Sequence, residues 1–247
     1  MDAAANIQHP PPRTGTLALT QDRVASREDM CIVARMHEWM TTLAGRFIVF
    51  DGPDGSGKST QFARFAASAR EHVAVCEVRE PGGTDAGEAI RRVLLDPTLT
   101  SMSVCCEMLL YMASRAELVE SVVRPALARG ELVLADRFLS STLAYQGAAG
   151  GIERSDILSV ARVAIGQTWP DVTLIFDVDP QIAASRIQRE RDRMEQKGDA
   201  FQRRVREGYL EQALTEPETH VIIDAAGEPD VVATRLLGAL KRRFVGS

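Results

Sequence analysis

The chain has 247 residues, 45% hydrophobic and 26% charged, with a formal net charge of −5. That is enough apolar material for one large core or two small ones, and the acidic balance argues against broad nucleic-acid binding, which favours a basic surface. No stretch approaches the roughly 18 apolar residues of a membrane span, and the N-terminus lacks the apolar centre of a signal peptide, so a cytoplasmic protein with no membrane contact is expected.

Residues 1–44 differ from the rest in pattern. His9-Pro10-Pro11-Pro12 breaks regular structure, residues 1–28 read as disordered, and 30–43 can form a short helix, so 1–44 is taken as an extension and 45–247 as the domain. The first strand-like run, 46–51, leads into Gly52-Pro-Asp-Gly-Ser-Gly-Lys-Ser-Thr60, and a helix is expected over 58–71. The loop fits G-x-x-x-x-G-K-[ST] in the strand–loop–helix context that a phosphate-binding loop requires. Glycines let backbone N–H groups approach a phosphate, and the helix N-terminus adds a positive dipole end. Gly52, Asp54, Gly55, Ser56, Gly57, Lys58, Ser59 and Thr60 are therefore the expected ATP site, with Lys58 on the outer phosphates and the Ser59 hydroxyl on Mg²⁺. The chain holds only three lysines (Lys58, Lys197 and Lys241) against 26 arginines, so a lysine in this loop marks a place where a compact ammonium is needed.

Further strands are expected at 73–79, 131–136, 172–178 and 220–224, alternating with helices at 86–95, 105–129, 139–147, 154–165, 180–191, 199–214 and 229–243. Continuous apolar strands separated by helices give an α/β fold with a five-stranded parallel sheet covered on both faces, and ligands bind beyond its carboxyl edge. Three groups of residues fall at that edge. Arg79-Glu-Pro-Gly-Gly-Thr84 makes a tight turn that presents Arg79. Leu132 to Asp136 ends a strand in a carboxylate suited to Mg²⁺, followed at once by Arg137. Arg186, Arg189, Arg191 and Arg193 crowd a short segment, and concentrated positive charge there suits phosphoryl transfer. The four cysteines, Cys31, Cys76, Cys105 and Cys106, form no C-x-x-C pair and read as reduced thiols.

From about Arg46 to Val245 the chain resembles the bacterial thymidylate kinases, on the loop 47–60, Arg-Glu-Pro-Gly-Gly-Thr at 79–84, Asp136-Arg137-Phe138 and Ala144-Tyr145-Gln146-Gly147. The resemblance implies a P-loop NTPase fold with a short mobile lid at about 186–198. It implies a homodimer that phosphorylates dTMP with ATP and Mg²⁺ in dTTP biosynthesis. It assigns Asp54 to the sugar 3′-hydroxyl and Arg79, Arg91 and Arg137 to the dTMP phosphate. Tyr111 would stack on thymine, Arg115 and Thr142 would contact the base, Tyr145 would crowd the 2′ position, and Gln146 would line the same site. Because the loop carries no arginine, the catalytic charge passes to Lys58, Arg137 and the lid arginines Arg189, Arg191 and Arg193. Two residues depart from the family pattern: Glu117, where Gln is usual, and Gly150, where a basic residue is common. The nearest rival is a kinase for another nucleoside monophosphate; a GTPase-type switch would need an Asn-Lys-x-Asp motif, and the only asparagine is Asn6.

Overall fold

The computed structural model describes residues 38–186 and 193–246. Five parallel strands, β1 (Phe47–Asp51), β2 (Val75–Arg79), β3 (Leu132–Asp136), β4 (Val172–Asp177) and β5 (His220–Asp224), form one sheet in the order β2-β3-β1-β4-β5. In the chain order the helices are α1 (Lys58–Ala69), α2 (Asp85–Leu95), α3 (Val104–Leu118), α4 (Arg124–Ala128), α5 (Leu139–Thr142), α6 (Arg154–Ile165), α7 (Pro180–Arg186), α8 (Asp199–Thr215) and α9 (Pro229–Phe244). All five strands lie where the hydrophobic runs place them. Among the described residues no helix is long and apolar enough to cross a membrane.

Strand alternation divides the core. Ile48 and Phe50 of β1 share one face with Leu132 and Leu134 of β3, packed under Phe65 of α1 and Leu236 and Leu240 of α9. Phe47, Val49, Val133 and Ala135 point the other way, against Met108 and Met112 of α3 and Ile157 and Ala161 of α6. Burial on both faces is why the central strands read as unbroken apolar runs. A third cluster joins Ile175 of β4 to Val205 and Tyr209 of α8 and to Tyr145. Arg206 of α8 also grips Asp177 at the end of β4 with two hydrogen bonds, 2.6 and 2.8 Å.

Three features differ from the sequence reading. The compact unit takes in Glu38–Leu43 ahead of position 45: Met40 and Leu43, in a 3₁₀ turn over this stretch, are fully buried beside α1 and α9. The helix expected over 105–129 is interrupted by a π turn at Val119–Val123, which ends two residues before Pro125. Proline lacks the N–H for a helical bond and its ring collides with the preceding turn, which a widened turn accommodates. The helix expected over 139–147 likewise passes into a π turn, Leu143–Ala148. Of the segment expected as helix over 180–191 only α7, to Arg186, is described.

The departure of β1 into the loop depends on Gly52. Its φ is 134°, and a Cβ there would lie 2.5 Å from the Phe176 carbonyl oxygen of β4. Gly52→Ala is expected to destabilise the fold by about 2 kcal/mol or more, read by urea denaturation; an unchanged midpoint would mean that the loop can leave β1 by another path.

Candidate active site

The loop and helix α1 form the side expected to hold ATP. Gly57, the residue before α1, has φ 81° and no side chain caps the helix, so its first N–H groups are left for an anion. Gly55 has φ 77°, and the Ala183 carbonyl of α7 lies where a Cβ would go. Ser56 is buried and its hydroxyl has no protein partner among the described residues. Ser59 and Thr60 are exposed on the first turn of α1. Lys58 is 7% exposed, with its Nζ 3.5 Å from Asp136 Oδ1. Burial pushes the Lys58 ammonium below its ordinary range and Arg137 adds to this, while Asp136, Asp54 and Asp51 pull the other way.

Beside it opens a cleft of about 210 Å³. Asp54, Lys58, Ser59, Asp136 and Arg137 line it at the sheet edge. Arg79, Arg91, Tyr111 and Arg115 close a second wall, and Thr142, Tyr145 and Gln146 a third. Twelve sequence-predicted residues thus meet in one space. Arg91 donates to the Pro81 carbonyl at 2.8 Å, and half-exposed Arg79 pairs with Glu88 at 2.7 Å.

Arg137 is placed by its backbone. It is the one non-glycine residue with positive φ, 71°, among the described residues, and this left-handed step turns its side chain from the end of β3 into the cleft. There it donates to the Gly52 carbonyl and to Ser141 Oγ, both at 3.1 Å, and pairs with Asp54. Tyr145 donates its hydroxyl to the other Asp54 oxygen at 3.0 Å. Burial raises the Asp54 carboxyl, but Arg137, Lys58 and the Tyr145 hydroxyl outweigh it and hold it below the ordinary carboxylate range. The Tyr145 hydroxyl, buried beside that carboxylate, is pushed well up and stays a neutral donor.

Sequence reasoning missed Asp51, Ser141, Tyr209, Glu80 and Glu107. Asp51 is fully buried and accepts from the N–H groups of Gly52, Phe138 and Ser141 at 2.9, 3.3 and 3.1 Å. The hydroxyls of Ser141 and Tyr209 add two bonds of 2.7 Å. The available signal was an acid closing an otherwise apolar strand. Ser141 and Tyr209, on α5 and α8, have no local signature.

Arg115 is 1% exposed and donates to Glu80, to the Phe138 carbonyl at 3.1 Å and to Thr142 Oγ1 at 3.0 Å. Arg193, expected at the transferring phosphate, does not line the cleft. It is 7% exposed and donates to the Leu94 carbonyl at 2.8 Å and pairs with Glu107 at 2.6 Å. Arg189 and Arg191 lie outside the described residues. Glu117 points to solvent and bonds Ser121, so this departure leaves the cleft untouched. Gly150 has a steric reason: a Cβ there would meet the Gln146 carbonyl at 2.6 Å.

Burial pushes the Glu80 carboxyl up to about 7, against the pull of Arg115. A raised value means that its contribution to stability is complete below pH 4.5 and is lost as pH climbs through about 7. The stability difference between wild type and Glu80→Gln should therefore move against the wild type across that window. Urea denaturation at both ends measures it, and a constant difference would show that the carboxyl does not titrate there.

Comparison with known proteins agrees with this geometry. The family model for thymidylate kinase matches residues 50–236. The thymidylate kinase of Desulforudis audaxviator is 46% identical over 198 residues, covering 78% of this chain and 89% of that protein. That of Deinococcus radiodurans is 42% identical over 203 residues, 81% and 98% of the two chains. Among solved structures, the crystal structure of thymidylate kinase from Ehrlichia chaffeensis matches with a TM-score of 0.66 at 31% identity, over 79% of this chain and 98% of that one. The matched span carries the loop, the cleft and the sheet that aligns them, and the chain belongs to the thymidylate kinase family.

Proposed function

We propose that this protein is an ATP-dependent dTMP kinase, moving the γ-phosphoryl group of ATP onto the phosphate of dTMP to give ADP and dTDP. The observation that carries the reading is that Lys58 of the phosphate loop and Arg137 line one cleft at the sheet edge, with Asp54 interacting with both, and that Arg79 and Arg91 stand on its second wall. A module that only binds ATP needs no second cationic wall. The acceptor is already an anionic phosphate, so catalysis rests on alignment and charge neutralisation rather than on a strong base.

The loop N–H groups and Lys58 would hold the ATP phosphates, and Arg79, Arg91 and Arg137 the dTMP phosphate. Asp54 would accept from the sugar 3′-hydroxyl, and Tyr145, fixed by its bond to Asp54, would fill the space of a ribose 2′-hydroxyl. Tyr111, Arg115, Thr142 and Gln146 would frame the base. Since Arg193 is anchored elsewhere, the lid charge on the transferring group falls to Arg189 or Arg191.

Mg²⁺ fits the residues present. Asp136 Oδ1 is buried without a hydrogen-bond partner, 3.5 Å from Lys58, and Ser59 lines the same space. Among the described residues no group of three or more His, Cys, Asp or Glu could hold a metal. The ion would therefore share Ser59 and Asp136 with nucleotide phosphates. When bound, it would neutralise charge on the phosphate oxygens.

A cytoplasmic location and a homodimer belong to this proposal. Leu109 on α3 and Val163 on α6 are 49% and 87% exposed, leaving apolar surface on these helices. Sedimentation of a monomer at micromolar concentration would remove the dimer.

An ADP-release assay with dTMP, dUMP, UMP, GMP and CMP in parallel tests the activity. dTMP should be preferred, and dUMP should exceed UMP if Tyr145 excludes ribose; preference for any other nucleotide overturns the reading. Lys58→Ala should lower kcat by a factor of about 100 or more, whereas near-normal turnover would remove the loop from catalysis.

A further inference from the structure

Glu107 of α3 is a buried carboxylate that the proposed transfer does not use, 1% exposed beside the acceptor cleft. Three groups converge on it. Lys197 Nζ reaches both of its oxygens at 3.1 Å, and Arg193 pairs with Oε2 at 2.6 Å. Gln146 Nε2 donates to Oε1 at 2.7 Å. Lys197 is one of only three lysines in this arginine-rich chain. Its ammonium also lies 4.8 Å from the centre of the Phe201 ring, so it occupies a made place rather than a solvated surface.

We propose that Glu107 is a positioning residue for base recognition: it fixes the orientation of the Gln146 amide and ties it to the segment that bears Arg193 and Lys197. The argument is one of donors and acceptors. A carboxylate held by two cations offers only acceptors, so the Gln146 amide must turn its NH₂ group toward it. Gln146 is itself 1% exposed and lines the cleft. With its nitrogen engaged, the carbonyl oxygen is the atom left for a ligand. Gly150 holds the backbone of the same π turn so tightly that a Cβ would meet Gln146, which restricts escape by a backbone shift.

A fixed acceptor at this position selects a ring that offers an N–H donor on its pairing edge. Thymine and uracil carry one at N3; cytosine carries a lone pair there and would be repelled. Sites that hydrogen-bond a ligand reject the mismatched analogue because a buried polar group is left unpaired. Arg193 and Lys197 then have a role distinct from contact with phosphate: they hold the Glu107 side chain in place.

This inference rests on the dTMP kinase reading, and one experiment separates the two. In Glu107→Gln the new amide can offer its own NH₂ to Gln146, which frees the Gln146 amide to flip. The ratio of kcat/KM for dTMP over dCMP should fall about tenfold or more, through KM more than kcat. Where E107Q folds poorly, E107Q/K197M removes an unpaired cation and carries the same test, and K197M alone, which leaves Arg193 and the Gln146 amide on Glu107, should keep the ratio. An unchanged ratio in a folded variant, whatever the loss in Tm or kcat, makes Glu107 a structural ion pair and overturns the proposal. Wild-type turnover of dTMP in the same assay reports separately on the kinase reading.

Discussion

The carboxylate of Asp51, buried at the end of β1, accepts hydrogen bonds from three backbone N–H groups and two hydroxyls. Those donors belong to the phosphate loop, the segment after β3, α5 and α8. A charge taken out of water must be matched by close donors, and the match here is nearly complete. The network therefore sets where Gly52 leaves the strand and where the left-handed turn at Arg137 directs its guanidinium, which stands 3.5 Å from the same carboxylate.

From this follows the electrostatic character of the cleft. Lys58 and Arg137 would repel each other across an empty space, and Asp51, Asp54 and Asp136 lie among them as fixed counter-charges. Negative phosphates entering the cleft in the proposed reaction would meet donors that are already oriented, so little reorganisation would be required at the moment of transfer. Arg115 is held differently: Glu80, the Phe138 carbonyl and Thr142 occupy most of its donors and fix its plane against the Phe138 ring, 5.1 Å away. A long cation so restrained can act as a template rather than as a mobile charge.

The sheet and most helices were legible because buried parallel strands are continuous apolar runs, and Phe47–Phe50, Leu132–Ala135 and Val172–Phe176 are such runs. The loop was legible because its function needs glycines and a lysine at set spacing. The domain boundary was not: Met40 and Leu43 sit in an irregular segment whose burial comes from α1 and α9, far along the chain. Nor were the π turns, although Pro125 was a cue to one of them. The arginine cluster at 186–193 read as one functional group because the residues are adjacent, yet Arg193 is turned to Leu94 and Glu107.

Local pattern by itself determined the strands, the helices and the phosphate loop, since each depends on residues close in sequence. Which polar residues share a bond was decided only by the tertiary structure. Asp51 and Tyr209 are 158 positions apart, and Glu107 and Lys197 are 90. No periodicity encodes such distances. They are created when the crossover helices bring the ends of β1, β2 and β3 to one edge, where burial leaves each charge to be matched by whatever donor the fold has carried there.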